Sequence, residues 1–133
     1  MDFGCYGANL ATWLMKGAEP LTVTAVTQQI KPEVYPAVDD EATIILKYPQ
    51  AQVIIQASWN WTFNRKDIEV YGRSGQVHAL DGTNMRVRTG SETEDRLVVL
   101  ERSASPTNRP FNLPHRGCAR PSQKHRWRFI FIS

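Results

Sequence analysis

The chain has 133 residues, 41% of them hydrophobic and 22% charged, which suits one soluble globular domain with a single core and argues against a disordered or fibrous chain. Its net charge of +3 is unevenly placed. Residues 1–102 hold all 13 acidic and 10 of the 16 basic residues, a net −3, whereas residues 103–133 hold six basic residues and no acid, so a nucleic-acid-binding face is not expected.

Cys5 and Cys118 make neither a disulfide framework nor a metal-ligand spacing, which favours a reducing compartment. The apolar run Phe3 to Met15 is too short to cross a bilayer and lacks the basic flank of a secretory signal. The expectation is a cytoplasmic protein with no membrane partner.

Taken in chain order, Asp2 to Lys16 carries Phe3, Tyr6, Leu10, Trp13 and Leu14 at helical spacing, with Asp2 in the N-cap place and Gly17 as the stop. This predicts a helix that buries those side chains. Strand-like texture follows in Leu21 to Ile30, Ala42 to Tyr48 and Gln52 to Trp61, the last with Val53, Ile55, Ala57, Trp59 and Trp61 on one side. Shorter runs are Asp67 to Tyr71, Gln76 to Leu80, Thr83 to Arg88 and Arg96 to Glu101. Asp81-Gly82 reads as a two-residue hairpin turn between the fifth and sixth runs.

The pattern predicts an α+β fold, with an N-terminal helix packed on an open-faced, mainly antiparallel sheet of about six strands in meander order. One helix cannot cover so wide a sheet. The uncovered face is mixed in character, and homo-oligomerisation through it is the expectation. Residues 1–102 make up this domain. Residues 103–128 contain four of the eight prolines and show neither helical nor strand period, and residues 103–133 as a whole read as an irregular basic tail.

Asp39-Asp40-Glu41 reads as a solvated strand entrance, since one short acidic run lacks the ligand number a hard cation needs. His78, His115 and His125 have no ligand spacing between them, so no metal site is expected.

Four blocks, in order, resemble one family. They are Asp2-Phe3-Gly4-Cys5-Tyr6-Gly7-Ala8-Asn9 with Trp13-Leu14 and Gly17; Val38-Asp39-Asp40-Glu41-Ala42-Thr43; Ser58-Trp59-Asn60-Trp61; and Arg65-Lys66-Asp67-Ile68-Glu69-Val70-Tyr71-Gly72. Together they are similar to the C-terminal domain of the glucose–fructose oxidoreductase / inositol dehydrogenase family. The resemblance implies NAD(P)-dependent oxidation of a sugar, polyol or related hydroxy compound. It places Asp2 where the family has a substrate-facing acid and Tyr6 where it has a proton-transfer residue. From the residues themselves, Arg65 is a candidate to bind a substrate hydroxyl or carboxylate, and Trp59, on the core side of its strand, is a candidate for sugar stacking.

Many members have histidine where this chain has Tyr6. A phenol, with a reference pKa of about 10, needs a nearby cation to act as a base at neutral pH. The family draws that cation from a Glu-Lys-Pro motif absent from this sequence.

The eight glycines never form Gly-x-Gly-x-x-Gly, so no cofactor-binding residue is assigned here. Met1 directly before the motif suggests the substrate and oligomerisation half of a longer enzyme, inactive alone and awaiting a separate dinucleotide-binding chain. The alternative is a stand-alone homodimeric interaction module without catalysis.

The tail admits a frame argument. Read one base later after Phe111, Asn112-Leu113-Pro114 can become Thr-Tyr-Leu, and Lys124 to Phe129 can become Ser-Thr-Asp-Gly-Asp-Leu, both family-like. Residues 112–133 are therefore expected to be out of frame and loosely attached, with Phe129 to Ile132 as an exposed, aggregation-prone run.

Overall fold

The computed structural model describes residues 4–63, 65–101 and 126–132. Among them the chain forms a helix, α1 (Gly4–Leu14), and eight strands: β1 (Thr22–Gln28), β2 (Glu41–Lys47), β3 (Gln52–Ser58), β4 (Lys66–Gly72), β5 (Gly75–Ala79), β6 (Asn84–Thr89), β7 (Arg96–Val99) and β8 (Arg126–Ile132). The α+β class and the largely antiparallel pairing agree with the sequence. Strands β1–β3 form one antiparallel ladder and β4–β7 a second.

Among the described residues the two ladders are joined by backbone pairing through β8, which runs antiparallel to β3 and parallel to β4, giving the order β1-β2-β3-β8-β4-β5-β6-β7. The reading of residues 103–133 as an irregular, loosely attached tail is thus corrected at Arg126–Ile132. That segment alternates Trp127, Phe129 and Phe131 with Arg128, Ile130 and Ile132. Its register sets Phe129 beside both Ile55 and Ile68, and Phe131 beside Val53 and Val70. The period of two was there to see, but no turn signal announced a strand that joins a sheet so far back in the chain. Of the segment expected to be out of frame, residues 112–125 and 133 lie outside the described residues.

The core lies between α1 and one face of β2 and β3, where Leu46, Val53 and Ile55 are buried with Ala11 and Tyr48. The helix meets this face differently from the sequence expectation. Its buried residues are Gly4, Gly7 and Ala11, flanked by partly buried Leu10 and Leu14, while Tyr6 and Trp13 are 45% and 74% exposed. Small residues win the inner position because they let the helix approach closely: a Cβ on Gly7 would fall on Ile55 Cγ2. Phe3, assigned to the same buried face, and Asp2, the expected N-cap, lie outside the described residues.

The helix ends at Leu14, two residues before the expected Lys16, with Gly17 in the stop as the sequence suggested. Lys16 (φ 53°) and Gly17 (φ 80°) are both left-handed. The Gly17 and Lys16 amides donate to Thr12 and Trp13 carbonyls at 2.9 and 3.1 Å, closing a Schellman motif.

The β5–β6 connection also differs from expectation. Gly82 has no positive φ, so the two-residue mirror-image turn is not used. Instead the Asp81 carboxylate accepts from the amides of Thr83 and Asn84, both at 2.8 Å, and from the Asn84 side chain at 2.7 Å. An Asx-type cap replaces the glycine turn. Those donors, the Asn84 side chain foremost, hold the Asp81 pKa far below the usual carboxylate range.

Candidate functional site

Gly7 packs on Ile55, in the middle of β3, while Met15 lines a cavity with Ala51 and Tyr48 at the strand's start. The helix therefore runs antiparallel to β3: its N-terminus points toward the end where β3 finishes, and Tyr6, next to Gly7, lies level with the middle of the strand. The loop 59–65 leaves from the end where β3 finishes.

β3 stops at Ser58, three residues before the alternation in the sequence stops at Trp61. The extended backbone breaks because a polar cluster takes over. The Ser58 hydroxyl donates to Glu41 Oε2. Its oxygen accepts the Asn60 amide at 2.9 Å, and the Asn60 side chain donates to the Asp40 carbonyl at 3.2 Å and to Glu41 Oε2 at 3.3 Å. The Trp59 amide donates to the Asp40 carbonyl at 2.9 Å.

Asp40 is the hinge of this cluster. It is 3% exposed, so its reading as part of a solvated acidic run is corrected. Its carboxylate accepts the Ile30 and Lys31 amides at 2.7 and 2.8 Å, closing the β1–β2 loop on itself. Desolvation pushes its pKa up, but the donors Ile30, Asn60 and Lys31 together outweigh that and hold it below the usual value. Tyr35, from the same loop, meets Trp59 with ring centroids 4.7 Å apart at 44°. Sequence reasoning missed Asp40, Asn60 and Tyr35, because their roles depend on a chain reversal between residues 30 and 40 that carries no periodic signal.

Beyond Asn60 the loop surrounds an open concavity of about 620 Å³ lined by Asn60, Trp61, Thr62, Phe63 and Arg65. Arg65 lies over the Trp61 ring, 5.8 Å from its centroid. The guanidinium also grips Asp67: Nε lies 3.0 and 2.8 Å from its two oxygens, and Nη2 lies 2.7 Å from Oδ2. The hydrogen bond to Asp67 raises the Arg65 pKa, and Glu69 adds to it.

Of the two substrate-binding candidates, Arg65 lines the concavity. Trp59 is partly buried against Ala42 and Ala57 and is a wall of the core rather than a stacking platform. Trp61 and Phe63, the latter 82% exposed, offer the aromatic surface instead. Tyr6 is 45% exposed on α1. It does not line the concavity.

One helix laid by its small residues across a mainly antiparallel sheet defines an open-faced α+β domain. The family model describing the GFO/IDH/MocA C-terminal domain matches residues 1–78, and the chain belongs to that family. No curated protein and no solved structure matches the chain.

Among the described residues no Gly-x-Gly-x-x-Gly turn leads into a helix. The backbone donors that would cradle a pyrophosphate are not assembled there.

Proposed function

We propose that this domain supplies the substrate-binding and oligomer-forming half of an NAD(P)-dependent oxidoreductase acting on a sugar, polyol or related hydroxy compound, and that it does not turn over by itself. The observation that supports this reading is the concavity lined by Asn60, Trp61, Thr62, Phe63 and Arg65 in a domain of this family. Tyr6, 45% exposed on α1, would exchange a hydrogen bond with a substrate hydroxyl. Asp2 would stand four residues earlier to help position it. Because Asp67 already neutralises Arg65, the concavity favours a neutral polyhydroxy compound over a carboxylate, with Trp61 and Phe63 meeting its C–H faces. The dinucleotide would be held by a different domain.

The open sheet face supports the oligomer-forming role. Ile45, Ile54 and Ile130 lie in register across β2, β3 and β8 on the side away from α1, half-buried rather than covered. A second copy meeting this stripe would shield it.

Calorimetry and tryptophan fluorescence test the reading on the purified chain. NAD and NADP should give no heat. Inositol or glucose at millimolar concentrations should alter the tryptophan emission, less so in Tyr6→Phe. Micromolar binding of either nucleotide, or no response to any polyol at tens of millimolar, would overturn the assignment.

A further inference from the structure

The two edges of the sheet are built differently. β7 is four residues long and carries Arg96, which pairs with Glu92 at 3.6 Å. Short length and charge are the usual protections of an edge against pairing with another chain. β1 has neither protection. Its seven residues, Thr-Val-Thr-Ala-Val-Thr-Gln, are all exposed, with Val23 at 60% and Val26 at 69%. They contain no charge and no proline, and the uncharged run extends from Leu21 to Ile30. Among the described residues nothing pairs with its outer side.

We propose that β1 is a self-association edge, pairing antiparallel with β1 of a second copy about a twofold axis through Ala25. The sequence selects this register. It sets Thr22 of one copy opposite Gln28 of the other, Val23 opposite Thr27, and Thr24 opposite Val26, so every residue of the strand is matched. β-branched side chains face one another on both faces, a favourable cross-strand pairing.

In the flanking loops, three residues beyond each end of the strand, the same symmetry brings Glu19 of one copy to the side of Lys31 of the other. Sliding by one pleat in one direction sets Glu19 against Glu33, and in the other against uncharged Gln29. Only the Ala25-centred register matches opposite charges. An edge contact of seven residues falls below the roughly 1,000 Å² of a stable interface, so the association belongs to the weak, transient class. It uses a surface separate from the open sheet face. With both contacts made, the two twofold axes would generate a closed tetramer if they intersect at right angles, and a larger or open assembly otherwise.

Cysteine trapping in the full chain, with Cys5 and Cys118 changed to serine, reads the register directly. On mild oxidation Ala25→Cys should form a covalent dimer, because its Cβ and the symmetry mate's lie about 4.5–5.5 Å apart in such a pair. Val23→Cys should not, because four residues of offset separate it from its own copy by about 13 Å. Sedimentation at up to several hundred micromolar gives a second readout that does not depend on cysteine. Glu19→Lys should weaken self-association by about tenfold, and adding Lys31→Glu should restore it. Equal trapping at positions 23 and 25, no trapping at 25, or failure of the double charge swap to restore association would each overturn the proposal. The Ile54→Lys variant, which addresses the open sheet face, should leave trapping at position 25 unchanged.

Discussion

Changing Gly7 to alanine sets two effects of opposite sign against each other. In a helix interior the substitution gains about 0.5–1 kcal/mol, because glycine loses the most backbone freedom on folding. Against this, the new methyl would fall on Ile55 Cγ2 and lie 3.0 and 3.1 Å from its Cγ1 and Cδ1. Ile55 is 1% exposed and sits in the middle of β3, so neither it nor the strand has room to give. Overpacking of a filled core costs about 1–3 kcal/mol. The overlap wins, and the net expectation for Gly7→Ala is a loss of about 1–2 kcal/mol.

A double-mutant cycle followed by urea unfolding and circular dichroism separates the two effects. In an Ile55→Val background the cost should persist, because Cγ2 remains. In an Ile55→Ala background the clash disappears, and Gly7→Ala should become stabilising by about 0.5–1 kcal/mol. If Gly7→Ala stabilises the unaltered chain, or costs the same in all three backgrounds, the helix does not approach β3 through its glycine and the reasoning fails.

Asp40 should make the fold acid-sensitive. Its folded pKa is depressed, so the stability it contributes is fully present above its unfolded value, near 3.8, and is lost as pH falls through the lower folded value. Asp40→Asn should lower the thermal midpoint at pH 7 and flatten its decline below pH 4, as read by circular dichroism across pH. Ile130→Pro should cost about 3 kcal/mol or more, since proline cannot serve a central strand, and an unchanged urea midpoint would remove β8 from the sheet. Arg65→Ala should change stability by less than about 1 kcal/mol, because the pair with Asp67 is part-exposed, yet should shift the Trp61 emission.

The parts of the fold with strong local period were readable in the sequence. The β2 and β3 alternation, Gly17 at the helix end and the α+β class all follow from side chains repeating at fixed intervals. The helix face was misread because Tyr6 and Trp13 are apolar enough to suggest burial, while the contact is made by residues with almost no side chain. No hydropathy pattern marks Gly7 as the innermost residue; only the position of Ile55 does. Asp40 escaped for a related reason. A carboxylate beside two other acids looks solvated until the amides of Ile30 and Lys31 are seen to converge on it. At the site, the family motif pointed to Tyr6 and the residues themselves to Arg65, but the commitment of Arg65 to Asp67 is a fact of geometry.

The junction at β8 also bears on how the protein is made. The ribosome finishes β3 and β4 long before it reaches Arg126, and at about 5–20 residues per second the stretch from Val99 to β8 takes roughly 1–6 s. During that interval the nascent chain has two separate ladders, and β3 and β4 each show an unpaired inner edge lined with valine and isoleucine. Anything that slows translation after β7 lengthens the time those edges spend open to other nascent chains. Rare codons or a chaperone acting in that stretch would therefore govern the yield of folded protein more strongly than the same change placed earlier.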